Sequence, residues 1–174
     1  MRSIFVSAGH SNVDPGAVAF GRREADIAVE FRNLVSFYLT RDGVPHELDG
    51  HGTQNLPLAT AAARARRHPI GIEFHCNAAG SSTATGAETL SGPKDMKLGA
   101  EISAAIAQAL AIRDRGAKPE NAGQHSRLAF VQAGGIIVEL FFLTNRSDLA
   151  AYDARKWVAA RDVAAVLTAA ARAA

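Results

Sequence analysis

Gly135-Ile136-Ile137-Val138-Glu139-Leu140-Phe141-Phe142-Leu143 is one of the most apolar stretches of the chain, and a single acid interrupts it. Ile136–Phe142 has strand composition, and apolar side chains at both alternate positions suit a strand covered on both faces. Further strand-like runs lie at residues 4–7, 44–48, 70–75, 86–90 and 128–131. Helical patterns separate them. In Glu24–Arg41, Ala28, Phe31, Val35 and Tyr38 recur at steps of three and four. Residues 56–67 are rich in Ala and Arg and are broken by His68-Pro69. Residues 93–112 begin with proline, and residues 153–173 are rich in alanine. In that last helix Val163, Val166, Leu167 and Ala170 form one stripe, expected to cover a face of the sheet rather than to sit in a membrane. Residues 113–126 read as irregular and 144–148 as a turn. Strands alternating with helices predict an α/β fold: a single domain with a twisted, mostly parallel β-sheet flanked by helices on both faces.

Length and composition agree with one globular domain spanning 1–174, since 174 residues with 48% hydrophobic and 21% charged residues support one core. The net charge of +2 and a pI near 9.0 are mildly basic. Without dense Lys/Arg clusters, and with only 6% aromatic residues for base stacking, no nucleic-acid partner is expected. A lone cysteine, Cys76, excludes an internal disulfide and a four-cysteine zinc site. No apolar run approaches the ~20 residues of a membrane span, and residues 1–7 lack a signal-peptide core. Synthesis in the cytoplasm, no integral membrane association and a monomeric state are the expectations.

Four residues carry candidate chemistry. His10 follows the first strand, His75 closes the third, and Glu139 lies in the apolar run; ligands of open α/β sheets bind beyond the carboxyl ends of strands. Glu24 lies on the same helical stripe as Ala28, Phe31 and Val35, so it faces the sheet, where a carboxylate needs a partner. That partner is a metal ion or, more plainly, the positive end of the helix dipole. His10, Glu24 and His75 would make a His₂Glu set with a fourth position left for water, the pattern of a catalytic zinc. Glu139 in apolar surroundings should have a raised pKa suited to proton transfer, unless its strand end leaves it in water. Strand alternation turns Cys76 away from His75 and into the core. Glu73 shares the His75 face, either solvated, in a salt bridge, or hydrogen-bonded to a metal-bound imidazole. His125 is a further candidate for the cleft, whereas His46, His51 and His68 read as solvent-exposed.

Taken together, Ser7-Ala8-Gly9-His10, Asp14-Pro15-Gly16-Ala17, Glu24 opening a helix, His75-Cys76-Asn77-Ala78, Gly86-Ala87-Glu88 and Val138-Glu139-Leu140-Phe141-Phe142-Leu143-Thr144-Asn145 resemble the zinc-dependent N-acetylmuramoyl-L-alanine amidases of the type-3 fold family. The resemblance implies Zn²⁺ on His10, Glu24 and His75, and Glu139 as the catalytic acid/base. It implies peptidoglycan as the partner and cleavage of the amide between N-acetylmuramic acid and the stem-peptide L-alanine. Glu73 departs from the family, which usually has a small or hydroxyl residue there, and residues 49–58 match poorly. With no separate wall-binding domain expected in 1–174, the reading is a catalytic domain of the phage-endolysin kind. It would be made in the cytoplasm and act on the wall after release. A wall-recycling amidase and a non-catalytic peptidoglycan-binding module are the alternatives.

Overall fold

The apolar run holds an interior place in a six-stranded sheet. In the computed structural model, which describes residues 1–122 and 127–173, the elements run β1 (Ile4–Ala8), β2 (Val18–Ala19), β3 (Arg22–Arg23), α1 (Glu24–Arg41), β4 (His46–Leu48), α2 (Leu58–Ala65), β5 (Ile70–Asn77), β6 (Ala87–Ser91), α3 (Met96–Leu110), β7 (Asp114–Pro119), α4 (Ala129–Gln132), β8 (Ile136–Phe142) and α5 (Arg146–Arg172). The strand order is β4-β1-β5-β8-β6-β7. Every pairing is parallel except β6 with β8, so the sheet is mixed. The exception has a plain cause. No crossover helix separates β5 from β6, so the chain turns back down the sheet, whereas α3 returns it to start β7 in parallel.

Helices cover both faces unequally. Ile4 and Val6 of β1, Ile72 and Phe74 of β5, and Val138 and Leu140 of β8 belong to one core, together with residues of α1, α3 and α5. The alternate residues Phe5 and Ile137 belong to a second core with Ala61 and Ala65 of α2 and Phe130 of α4. Because α2 and α4 have only eight and four residues, they leave part of this second face open. Within α5, Val163 and Leu167 are fully buried, so this helix covers the sheet as its stripe implied.

Four local readings change. Residues 128–131 were expected to form a strand, but Ala129–Gln132 is a single helical turn that packs Phe130 and Val131 inward. The stretch read as irregular contains the edge strand β7, whose sequence lacks apolar alternation because none of its residues is fully covered. The expected turn at 144–148 is the start of α5: the Asn145 side chain accepts hydrogen bonds from the Ser147 and Asp148 amides and caps the helix. The long helix expected from residue 93 is preceded by a 3₁₀ turn at Pro93–Asp95. A small hairpin of β2 and β3, turning at Phe20 and Gly21 with positive φ at both, went unread.

Candidate active site

The site lies on the open face, close to the carboxyl ends of β1 and β5. His10 follows β1 with φ 63°, a left-handed backbone that non-glycine residues seldom adopt outside special sites. Gly9 lets the strands close up here, since a β-carbon on it would overlap the His75 ring. Gly16, also in the left-handed region at φ 63°, leaves room for Glu24 and His10. The Asn55 side chain donates to the carbonyls of Ala8 and His10 and so ties down the loop that carries the histidine. Behind it, fully buried Arg32 pairs with buried Asp49 at 2.7 Å and donates to the carbonyls of Gln54 and Gly52. Sequence reasoning missed this buried pair in the poorly matching segment; removing one partner of such a pair costs about 3–5 kcal/mol.

His10, Glu24 and His75, far apart in sequence, bring a ligand atom each within 4.8 Å of one another. His10 Nε2 and His75 Nδ1 both lie 3.0 Å from Glu24 Oε1. That oxygen also accepts the Cys76 amide at 3.0 Å, while Oε2 accepts the Ala17 amide at 2.9 Å. Burial opposes ionisation of Glu24, yet the hydrogen bonds from His10 and His75 hold its pKa well below the usual carboxylate range. The outer nitrogen of each imidazole has its own acid: His10 Nδ1 lies 3.1 Å from Asp14 Oδ2, and His75 Nε2 lies 3.1 Å from Glu73 Oε1. The bond to Glu24 raises the pKa of His10. For His75, burial pulls down, but the bonds to Glu24 and Glu73 win and hold it well above 6.5.

This donor set fits zinc. Two imidazole nitrogens and a carboxylate oxygen converge from three elements, and the outward nitrogens are held by carboxylates, the arrangement that fixes tautomer and ring direction in metal-binding histidines.

Glu139 stands in mid-strand rather than at a strand end. Its register partners are His75 on β5 and Glu88 on β6, so it borders the triad from the sheet side. One carboxylate oxygen, Oε2, is buried without a hydrogen-bond partner. Burial pushes its pKa up to about 7; nearby His75 works against this, and the charges of Glu24 and Glu88 add to it. Such a group can hold or release a proton near neutral pH.

Glu73 is buried, which excludes the solvated reading; besides His75 it accepts the Ser7 hydroxyl at 3.0 Å. Cys76 is buried in the main core as expected. His46 and His68 are partly buried, not exposed. His46 contacts the Ser36 hydroxyl and the Val44 carbonyl, and His68 contacts Ser3 and Glu47. His51 is exposed, and His125 lies outside the described residues. Asp14 was read only as part of its motif, though its place four residues after His10 in a Pro/Gly turn was a usable signal. The cleft, of about 750 Å³, runs from the triad past Glu139 to Glu88, Arg115 and Lys118.

A family model described as N-acetylmuramoyl-L-alanine amidase matches residues 4–169. The chain belongs to the type-3 N-acetylmuramoyl-L-alanine amidase family. A Neisseria meningitidis structure provisionally assigned as an N-acetylmuramoyl-L-alanine amidase is 44% identical, with a TM-score of 0.90 over 97% of this chain and 95% of that one. The catalytic domain of the amidase CwlV from Bacillus (Paenibacillus) polymyxa shares the fold of this chain at 20% identity, with a TM-score of 0.85 and 98% of each chain covered. Among curated relatives, the uncharacterised Bacillus subtilis (strain 168) protein YqiI is 29% identical over 84% of this chain and 73% of its own length. The N-acetylmuramoyl-L-alanine amidase LytC of the same strain is 26% identical over 84% of this chain but only 30% of LytC.

Proposed function

We propose that the chain hydrolyses the amide between the lactyl group of N-acetylmuramic acid and the L-alanine of the stem peptide, with zinc on His10, Glu24 and His75 and with Glu139 as the proton carrier. The observation that carries this reading is the meeting of His10 Nε2 and His75 Nδ1 at one Glu24 oxygen, beside the unpartnered Glu139 carboxylate. Zinc, when bound, supplies a Lewis acid that polarises the scissile carbonyl and makes a water molecule acidic. Glu139 accepts the proton of that water on its carboxylate and passes it to the leaving amine nitrogen, regenerating the carboxylate for the next turnover. Asp14 and Glu73 keep the outer imidazole nitrogens engaged, which leaves the inner nitrogens aimed at the metal position.

The same reading extends to a biological setting: a lytic enzyme of the endolysin kind, made in the cytoplasm and acting on the wall after release. It is supported by a cleft that, among the described residues, opens to solvent with the triad on its wall. Among the described residues no helix is long and apolar enough to cross a membrane.

Metal removal tests the triad. Chelation should abolish amine release from peptidoglycan, and added zinc should restore it. Stoichiometric zinc retained by a folded His75→Ala variant would contradict the ligand assignment.

A further inference from the structure

The wall of the cleft beyond Glu139 holds the only lysine and arginine side chains that line it among the described residues, Arg115 and Lys118. Both reach the same atom. Arg115 Nε donates to Glu88 Oε2, and Lys118 Nζ donates to that oxygen at 2.6 Å. Glu88 Oε1 is already taken by the Asn77 amide at 3.0 Å. The two cations hold the Glu88 pKa down against its burial, so it carries its charge at neutral pH. Within this trio one carboxylate faces two cations, and a positive charge is left over. The other acid lining this end of the cleft, Glu120, makes no ion pair with either cation; its oxygens accept the Leu128 amide and the Gln132 side chain.

The arrangement also leaves donors free. The guanidinium of Arg115 packs over the Phe142 ring, 4.9 Å from its centroid. Its outer fork, Nη1 and Nη2, has no hydrogen-bond partner among the described residues. A planar fork packed on a ring, with a second cation beside it, is suited to a carboxylate, which it can bind by two parallel hydrogen bonds.

The geometry points to Arg115 and Lys118 as the subsite for a carboxylate on the peptide side of the substrate, the α-carboxylate of the glutamate that follows the stem-peptide alanine. This rests on the amidase reading above. The glycan carries neutral hydroxyl and acetamido groups, and the lactyl carboxyl is consumed in the scissile amide, so the free carboxylates belong to the peptide. Position agrees. Glu88 is the cross-strand neighbour of Glu139, placing their β-carbons ~5 Å apart, and the two cations sit one strand further out. That offset corresponds to roughly one residue beyond the bond being cut. The subsite therefore sets the direction of the substrate: peptide toward β7, glycan toward the opposite end of the cleft.

The test compares two soluble muramyl peptides that differ only at this group, one with the free glutamate α-carboxylate and one with it amidated, cleaved by the zinc-loaded enzyme. The expected result is a KM for the amidated peptide higher by on the order of tenfold, with similar kcat. In Arg115→Gln and in Lys118→Gln the ratio of the two KM values should collapse toward one. Lys118→Gln decides alone if the packing of Arg115 on Phe142 makes the first variant unfold. Equal KM values in the unaltered enzyme, or an unchanged ratio in a folded Lys118→Gln variant, would overturn the subsite and leave the amidase reading standing. No cleavage of either peptide at the alanine amide by the unaltered enzyme would overturn both.

Discussion

Glu139 shows how one side chain can be read from its surroundings. An acid placed in Ile136–Phe142 is held at a desolvation cost, and the structure shows the residue of that cost as a buried oxygen without a partner and a pKa of about 7. Glu139→Gln keeps the shape but cannot carry a proton, so zinc content should stay normal while turnover falls by about 10²–10⁴-fold. Loss of zinc from the folded variant would make Glu139 a ligand instead. The same substitution has a stability signature in the metal-free protein. Because the folded pKa lies above the ordinary 4.5, the folded state favours the protonated form, and stability is lost as pH rises from about 4.5 through about 7. Gln does not ionise, so the variant should gain in Tm relative to the native chain between pH 5 and pH 8, measured with a chelator present. Glu73 poses the opposite case. Its contact with His75 Nε2 is expected to sustain the ligand's orientation, and Glu73→Gln should weaken zinc binding about 10–100-fold in a chelator competition. An unchanged zinc affinity would reduce Glu73 to a packing residue. Glu24, His75 and Glu139 were legible because periodicity or an apolar context marked them. Arg115 and Lys118 were not, because they act through edge-strand geometry that no local pattern encodes, and Asp14 showed only as part of its turn motif.

Among the elements, legibility follows burial. β1, β5 and β8 are buried over most of their length, with His75 and Glu139 among the exceptions, and read as apolar runs, and α1 shows its inward stripe, with Ala28, Phe31 and Val35 fully buried. β7 lies at the edge of the sheet, contains Gly116 and Pro119, and is fully buried nowhere, so its sequence resembles a loop. α4 has strand-like residues because a single turn must still bury Phe130 and Val131. The start of α5 was hidden by its own cap, since the polar cluster around Asn145 that signals a turn also begins a helix. Asp148 in that first turn is buried and accepts hydrogen bonds from the Thr85 hydroxyl and the amides of Gly86 and Phe142, locking α5 to β6 and β8. The body of α5 is therefore part of the fold. Leu167→Ala should cost about 2–5 kcal/mol, a fall in Tm of roughly 5–20 °C by calorimetry. Arg161→Ala on the exposed side should leave Tm within about 2 °C. Equal effects of the two would mean that α5 is an accessory rather than a wall of the core.

At the scale of the whole molecule, the uneven cover of the two sheet faces produces the site. Three helices of 15 residues or more seal one face, while α2 and α4 close only part of the other. The uncovered part carries His75 and Glu139 of the sheet and meets His10 and Glu24 from the elements that follow β1. The architecture thus gathers two imidazoles, two carboxylates of opposite pKa trend and a pair of cations along one open cleft. The measurement that tests this account most directly is mass spectrometry of purified peptidoglycan digested by the zinc-loaded protein. Stem peptides with a free N-terminal L-alanine amine, together with glycan strands whose lactyl groups are intact, are the result expected. New reducing sugar ends, or peptides cut between their own residues with the muramyl amide left whole, would contradict it.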